Sequence, residues 1–192
     1  MSRRIPRTLA TIAVAGLLVA ALAAILHQAA RNLALPLSDA GIIREQAAEK
    51  RLDPALIAAV IYAETKFDPR PSSAGAQGLM QILPSTAYYL AHLSGGISFT
   101  AGDLSNPSVN VAYGSYYLRY LLDHYGGDEM LAVAAYNGGL TNVDRWVQRA
   151  DAAGRQLSVS EIPFAQTREY VQRVLGAQRA YRATYARELG IS

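Results

Sequence analysis

The sequence predicts an all-α fold, in which a compact domain of about seven short helices over residues 38–192 follows an N-terminal segment. Apolar residues recur through most of the domain with the 3.6-residue period of a helix. Asp-Pro at 53–54 and Asn-Pro at 106–107 each place a capping side chain before a proline, which suits the first turn of a helix. No stretch shows the regular alternation of apolar and polar residues that marks a half-buried strand. These observations together favour helices packed on helices.

Residues 1–30 are predicted to form a transmembrane signal anchor, and residues 31–37 a short linker. Residues 9–26 carry no charge, and their length is close to what a helix needs to cross the hydrocarbon core of a bilayer. Three arginines precede this run, so the positive-inside rule places the N-terminus in the cytoplasm and the domain outside the membrane. Cleavage near residues 29–30, which would release a secreted protein, and a buried core helix are the alternatives.

Charge and composition exclude several classes of function. The formal net charge is +3, and Arg3, Arg4 and Arg7 account for all of it, so a domain that binds nucleic acid is not predicted. The chain has no cysteine, which rules out disulfides, cysteine-ligated metals, thiol catalysis and a lipoprotein anchor on an acylated cysteine. The three histidines share no ligand spacing, so we expect neither a metal nor a cofactor.

The helices of the domain are predicted in order from their start and stop signals. Ser38 or Asp39 caps a surface helix over residues 40–51. Asp53 caps the next helix, which ends near residue 65 because Asp68-Pro69 cannot continue it. A loop rich in Pro, Ser and Gly follows, and each later helix begins after a capping Ser, Thr, Asn or Asp, except that Thr167 itself begins the last. We expect these later helices at residues 86–92, at 107–125, at 130–136, around 143–147 after Thr141, and at 167–189.

Glu64 occupies an unusual position in the second helix. It falls on the same helical face as the apolar residues Ile57, Val60 and Ile61. A carboxylate on a buried face is costly unless it is paired or protonated. One interpretation is a structural glutamate that is satisfied or left in solvent at the helix end. The other is a catalytic acid whose pKa is raised by its apolar surroundings.

Four motifs follow one another along the domain. They are Glu64-Thr65-x-Phe67-x-Pro69, then Ser72-x-x-Gly75-Ala76-x-Gly78-Leu79-Met80-Gln81-Ile82-x-Pro84-x-Thr86-Ala87, then Ala135-Tyr136-Asn137-Gly138-Gly139, and last Ile162-Pro163-Phe164-x-x-Thr167-Arg168-x-Tyr170-Val171. Together they resemble the catalytic domain of the soluble lytic transglycosylases of family 1, whose compact lysozyme-like fold is related to goose-type lysozyme. The resemblance covers about residues 38–185, and four motifs in order make it specific.

The resemblance implies a role for each matching residue. Glu64 would be the catalytic acid, with Thr65 in place of the usual serine. Aligned from the glycine of its motif, Ser72 would hold the catalytic carboxylate and the substrate, whereas counting from Glu64 gives Ser73. The other matches imply substrate-binding residues, namely Met80 and Gln81 for the glycan, Tyr136 and Asn137 for the N-acetyl group, and Tyr170 in the last motif.

The implied reaction cleaves the β-1,4 bond between N-acetylmuramic acid (MurNAc) and N-acetylglucosamine (GlcNAc) in peptidoglycan and forms a 1,6-anhydroMurNAc end. Most glycosidases use two carboxylates, but substrate assistance is a known exception. The acids that follow Glu64 most closely, Asp68 and Asp103, are not obvious partners, so we expect Glu64 to act alone as acid and then as base. Glu161 lies one residue after the place where some members carry a glutamate, and its role stays open.

Two other functions remain open from the sequence. One is a lysozyme-type hydrolase of the same fold, and the other is a non-catalytic, glycan-binding assembly factor. The tyrosines at 113, 116, 117 and 120 favour core packing over sugar stacking. The expected location is the bacterial cell envelope, with the domain outside the cytoplasmic membrane. The expected partners are peptidoglycan glycan strands, the membrane through the N-terminal helix, and an unidentified wall-spanning machinery for secretion, a pilus or division.

Overall fold

The computed structural model describes residues 20–22, 35–70, 72–95 and 99–191. Residues 20–22 are helical and belong to an N-terminal unit, while a second compact unit begins at Leu35. Apart from these three residues, the predicted membrane anchor lies outside the described part of the chain. Among the helices that are described, none is both long and apolar enough to span a bilayer.

The described part of the second unit is built from helices, which confirms the predicted all-α class. Two short 3₁₀ helices, Ala101–Ser105 and Val159–Glu161, lie between longer elements. The α-helices within residues 35–191 are α1 (Ala40–Lys50), α2 (Pro54–Thr65), α3 (Pro84–Ser94), α4 (Pro107–His124), α5 (Glu129–Gly138), α6 (Leu140–Ala152) and α7 (Ala165–Leu189).

Some boundaries differ from the predicted ones. Helix α5 continues through Gly138, and only Gly139, at φ 84°, separates it from α6. Thr141 therefore lies inside α6, where it caps nothing. The segment 101–105 lies between two predicted helices, and there Thr100 and Asp103 form a reciprocal capping box that begins a 3₁₀ turn.

Helix α2 lies at the centre of the core. Its residues 55–61 are fully buried, so this helix is covered on every side and not only along one stripe. It packs along α7, which contributes the buried side chains of Tyr170, Val174 and Tyr181. The central position of α2 carries Glu64, in its last turn, to the edge of the core.

Hydrogen bonds hold both ends of α2. At the start, the Asp53 carboxylate accepts the backbone N–H of Ala55 at 3.0 Å and the side chain of Gln178 from α7 at 2.7 Å. At the end, the Thr65 hydroxyl donates to the carbonyl of Leu79 at 2.9 Å. The helix that carries Glu64 is thereby tied to α7 at one end and to the following loop at the other.

The segment just before α1 packs against the domain. The hydroxyls of Tyr185 and Tyr181 donate to the carbonyls of Leu35 and Pro36, at 2.7 and 2.5 Å. The side chains of Leu35 and Leu37 contact the core. Residues 35–37 were predicted as the end of a linker, but these contacts make them part of the folded unit.

Candidate active site

Glu64 lies in the last turn of α2 with its carboxyl group largely enclosed by protein. Burial raises the pKa of Glu64 from its usual 4.5 to about 7. Two groups from α7 lower this pKa, since the Tyr170 hydroxyl donates to Glu64 Oε1 at 2.7 Å and Arg173 supplies positive charge. With a pKa of about 7, both the neutral and the charged form of the carboxyl are accessible near neutral pH.

Tyr170 is the residue that orients Glu64. Its side chain is only 3% exposed, so its hydrogen bond to the carboxyl is shielded from water. Burial and the nearby carboxylate raise the pKa of Tyr170 well above its ordinary value, so the phenol remains a donor. The structure thus brings together two of the residues predicted for the site, one from α2 and one from α7.

A tight turn over residues 77–82 lies next to the end of α2. Gln77 and Ile82 exchange two backbone hydrogen bonds across it, each 3.0 Å long. Gly78 has φ 71°, and a Cβ atom on it would lie 2.1 Å from Nδ2 of Asn110. Glycine is required here by both the backbone angle and the close approach of α4.

Asn110 on α4 fixes this turn from beneath. Its fully buried side chain accepts the backbone N–H of Met80 at 2.8 Å and donates to the carbonyls of Gln77 and Leu104 at 2.8 and 3.0 Å. Sequence reasoning missed this residue. The only local signal was a polar residue among the apolar positions of a long helix, which does not reveal a partner about thirty positions away.

Met80 is placed as a packing residue. Its side chain is fully buried and lies against Gly114, where an added Cβ would be 2.4 Å from the Met80 sulfur. The predicted role of Met80 in binding the glycan stays a prediction, and with the thioether in the core that role would rest on the backbone of this residue. The backbone of Met80 faces the site, and its carbonyl accepts the Tyr136 hydroxyl at 2.9 Å.

Gln81 and Ser72 belong to the loop that follows α2. The Gln81 side chain donates to the carbonyls of Arg70 and Gly78, at 3.1 and 2.9 Å, and so joins the two parts of the loop. The Ser72 hydroxyl accepts the backbone N–H of Ala76 at 2.9 Å and closes a turn. Glu64 accepts its hydrogen bond from Tyr170, and the predicted role of Ser72 in holding the carboxylate and the substrate stays a prediction.

Tyr136 and Asn137 are in the last turn of α5. The Tyr136 ring packs 5.4 Å from the ring of Tyr117, and burial and the charge of Glu64 raise the pKa of Tyr136 well above its ordinary value. Oδ1 of Asn137 accepts the hydroxyl of Thr167, at 2.9 Å, which sets the direction of the amide group. The donor end of Asn137 is therefore oriented by α7.

A groove lined by aromatic residues continues from Tyr136. The rings of Tyr117 and Tyr120 are stacked at 6.4 Å, and the hydroxyl of Tyr120 lies 3.4 Å from that of Tyr89. The groove encloses about 290 Å³ between α3, α4 and the start of α6. These tyrosines were expected to pack in the core, and those at 117 and 120 are half-buried and form the groove wall.

Glu161 is engaged elsewhere as an exposed cap. Its carboxylate accepts the backbone N–H and the hydroxyl of Ser158 at 2.9 and 2.7 Å, and it pairs with Arg155. The Ser158 hydrogen bonds lower its pKa first, with a further contribution from Arg155. Glu161 therefore has a structural role, as part of the capping box of the 3₁₀ helix Val159–Glu161.

The described domain thus combines an all-α fold with an enclosed, protonatable Glu64, from which Tyr136 and Tyr117 lead to the aromatic groove. The Transglycosylase SLT domain model matches residues 41–159, and the chain belongs to this family. The solved structure of the 70 kDa soluble lytic transglycosylase from Escherichia coli aligns with a TM-score of 0.74 and 29% identity, over 82% of this chain and 26% of that one. The predicted lysozyme-like fold is thereby confirmed.

Curated relatives show the same likeness in sequence. The soluble lytic murein transglycosylase of Escherichia coli (strain K12) is 32% identical over 152 residues, which cover 77% of this chain and 23% of the relative. The membrane-bound lytic murein transglycosylase C of Salmonella typhi is 32% identical over 164 residues, covering 74% of this chain and 46% of the relative. The chain thus spans less than half the length of these curated relatives.

Proposed function

We propose that this protein is a peptidoglycan lytic transglycosylase that cleaves the β-1,4 bond between MurNAc and GlcNAc and leaves a 1,6-anhydroMurNAc end. The observation that carries the proposal is the enclosed carboxyl of Glu64, whose pKa of about 7 suits a group that first gives and then takes a proton. The family and the printed names of its relatives support the same reaction.

The proposed mechanism uses one protein carboxyl throughout. Protonated Glu64 donates to the glycosidic oxygen while the N-acetyl carbonyl of MurNAc attacks its own C1 and the C1–O bond breaks. Carboxylate Glu64 then accepts the proton of the C6 hydroxyl, whose oxygen displaces the N-acetyl group from C1 and closes the anhydro ring. The proton lost in the first step is regained in the second, and no water is consumed.

The surrounding residues are assigned roles that fit their positions. Tyr170 holds the carboxyl and stabilises its charged form in the second step. Asn137, fixed by Thr167, and Tyr136 orient the N-acetyl group. Gln81 and Ser72 shape the loop beside the glycan strand. Met80 contributes through its backbone carbonyl.

Replacing Glu64 by glutamine tests the assignment directly. We expect E64Q to lower the rate of peptidoglycan cleavage by at least about a thousandfold, because the amide cannot donate and then accept the proton. The matched control is E161Q, which removes an exposed carboxylate from the same domain and should retain activity within about twofold. Equal loss in both variants, or activity that survives in E64Q, would contradict the proposal.

The products distinguish this reaction from that of a hydrolase of the same fold. Mass spectrometry of muropeptides released by the wild-type protein should show anhydro ends, which are lighter by one water than hydrolysed ends. Hydrolysed ends as the main product would assign the protein to the lysozyme-type hydrolases. Absence of any product from the wild type would favour a glycan-binding role.

We also propose that residues 1–30 anchor the protein in the cytoplasmic membrane, with the domain over residues 38–192 in the bacterial cell envelope outside it. The uncharged run over residues 9–26 behind three arginines supports this arrangement. The full chain should then sediment with membranes and require detergent, not salt, for release. A version that begins at residue 31, directed across the membrane by a cleavable signal, should be released freely.

A further inference from the structure

A second and larger cavity lies away from Glu64. It encloses about 630 Å³, between the end of α1 and the outer face of α4. This volume is within the range of small-molecule sites in proteins. Lys50, Arg51, Ala112, Tyr116, Arg119 and Asp123 are among the residues that line it, whereas Glu64 and Tyr136 are not. The cavity is therefore not part of the site described above.

Helix α4 lines both the cavity and the aromatic groove, and it contributes different residues to each. Ala112, Tyr116, Arg119 and Asp123 follow one another at intervals of four, three and four residues, which places them on one stripe of the helix. Tyr117 and Tyr120 lie on the neighbouring stripe and face the aromatic groove. One helix thus presents one surface to each site.

The charges of the cavity are arranged by depth. The side chain of Lys50 is 11% exposed and that of its acidic partner Glu49 is 63% exposed. Arg119 and its partner Asp123 differ in the same way, at 29% and 69%. Lys50 also donates to Oε1 of Gln46 at 2.6 Å, so its ammonium has two partners within α1. Lys50 and Arg119 are thus less exposed than Glu49 and Asp123, which form the rim together with the exposed Arg51.

The guanidinium of Arg119 is incompletely paired. It bonds Asp123 at 2.7 Å, and its other terminal nitrogen makes only a long contact, 3.4 Å, with the carbonyl of Arg51. Its Nε is buried and lacks a partner among the residues that the structure describes. Buried donors are nearly always satisfied in folded proteins, so this N–H is available to an acceptor that enters the cavity.

We propose that this cavity binds the carboxylate of a short peptide. The carboxylate would sit on Lys50 and Arg119, with a small turn of the guanidinium bringing its spare donors to the anion. An apolar side chain of the peptide would lie against Tyr116 and Ala112, and its N–H groups would face the acids at the rim. Three cationic and two acidic side chains line the cavity, so their formal charge is +1. This charge suits a singly charged carboxylate better than a doubly charged phosphate.

Calorimetric titration of the full chain in a neutral detergent tests the ligand class. The probe is acetyl-Ala-Phe with a free carboxylate, compared with its C-terminal amide, acetate and inorganic phosphate. We expect the free dipeptide to bind at least tenfold more tightly than each of the other three. If the amide binds as tightly as the free dipeptide, the cavity does not recognise a carboxylate. If acetate or phosphate binds as tightly, the cavity does not recognise a peptide. Failure of the dipeptide to bind at 10 mM would also overturn the proposal.

Variants locate the binding. R119Q and K50Q should each weaken binding of the dipeptide at least fivefold while thermal unfolding shows that they remain folded. R149Q removes an exposed arginine on α6 and serves as the matched charge control, so its affinity should not change. E64Q should also bind normally. Loss of binding in E64Q but not in K50Q would place the peptide in the Glu64 site and refute a second site, whether or not the proposed reaction is correct.

Discussion

At Glu64, burial and hydrogen bonding act in opposite directions on one carboxyl group. Burial favours the neutral form, while the Tyr170 hydroxyl and the charge of Arg173 favour the carboxylate. Burial is the larger effect and leaves the pKa at about 7. A group that must be an acid in one step and a base in the next needs both forms to be accessible, and this opposition provides them.

The raised pKa of Glu64 predicts a pH dependence of stability. Between pH 4.5 and about 7 the folded state binds more protons at this site than the unfolded state, so stability falls as the pH rises. The loss should total about 3 kcal/mol and level off above the folded-state pKa. Chemical unfolding of E64Q at the same pH values should lack this component. A wild-type protein and E64Q with parallel pH profiles would contradict the shift.

Replacing Tyr170 by phenylalanine should move the same pKa. Y170F removes the hydrogen bond that lowers the pKa of Glu64, so that pKa should rise above its wild-type value. The high-pH limb of the activity profile should then shift to higher pH, and the rate of the step that needs the carboxylate should fall. Y185F, which also removes a phenol from α7, should leave the profile in place. A shift in both variants would indicate a general loosening of α7.

Single residues were predictable from the sequence to different degrees. The position of Glu64 in a last buried turn followed from Asp53-Pro54 and Pro69, which fix the helix ends. The burial of the Met80 side chain could not be predicted, because a motif does not tell whether the side chain or the backbone faces a ligand. Its burial depends on Gly114, which lies 34 positions away and leaves room for the thioether.

Among the elements, the turn over residues 77–82 depends most on tertiary contacts. Asn110 accepts the backbone N–H of Met80 and donates to the carbonyl of Gln77. The carbonyl of Met80 in turn accepts the hydroxyl of Tyr136. Thr65 adds a bond from the end of α2 to Leu79. The turn is therefore held between α2, α4 and α5, the helices that carry Glu64, Asn110 and Tyr136.

Removing the Asn110 side chain should disrupt this turn. N110A leaves one buried N–H and two buried carbonyls without their partner and should cost about 3–5 kcal/mol of unfolding free energy. N106A is the matched control, because Asn106 caps the same helix and its loss should cost about 1 kcal/mol. Denaturant unfolding measures both. A cost for N110A no larger than that for N106A would show that the turn does not need this residue.

Helix starts were predictable where one local signal decided them. Asp53 and Asn106 both accept backbone N–H groups at the start of their helices, as expected. Thr141 does not cap α6, because α5 continues through Gly138 and α6 already begins at Leu140. A Cβ atom placed on Gly138 would lie 3.0 Å from the hydroxyl oxygen of Thr167, so α5 and α7 approach each other closely here. This close approach between α5 and α7 is a tertiary contact that no local pattern reports.

At the scale of the whole molecule, α2 and α7 form the central pair on which the site depends. Their contact brings Glu64 to Tyr170 near one end and Asp53 to Gln178 and Arg182 near the other. The lysozyme-like fold could be predicted from the order of motifs. The partners within this pair lie more than a hundred positions apart, so side-chain pairing across it follows only from the packed structure.

Asp53 should therefore be more important to the molecule than an ordinary helix cap. D53A removes the cap of α2, the acceptor of Gln178 and the ion-pair partner of Arg182, and we expect a loss of about 2–4 kcal/mol. D128A is the matched control, since Asp128 caps α5 through one bond to Leu131 and should cost about 1 kcal/mol. Because α2 and α7 share one core, D53A should lower the midpoint of a single cooperative transition, followed by circular dichroism and by Trp146 fluorescence. Two separate transitions, or equal losses in D53A and D128A, would mean that this pair does not set the stability of the fold as a whole.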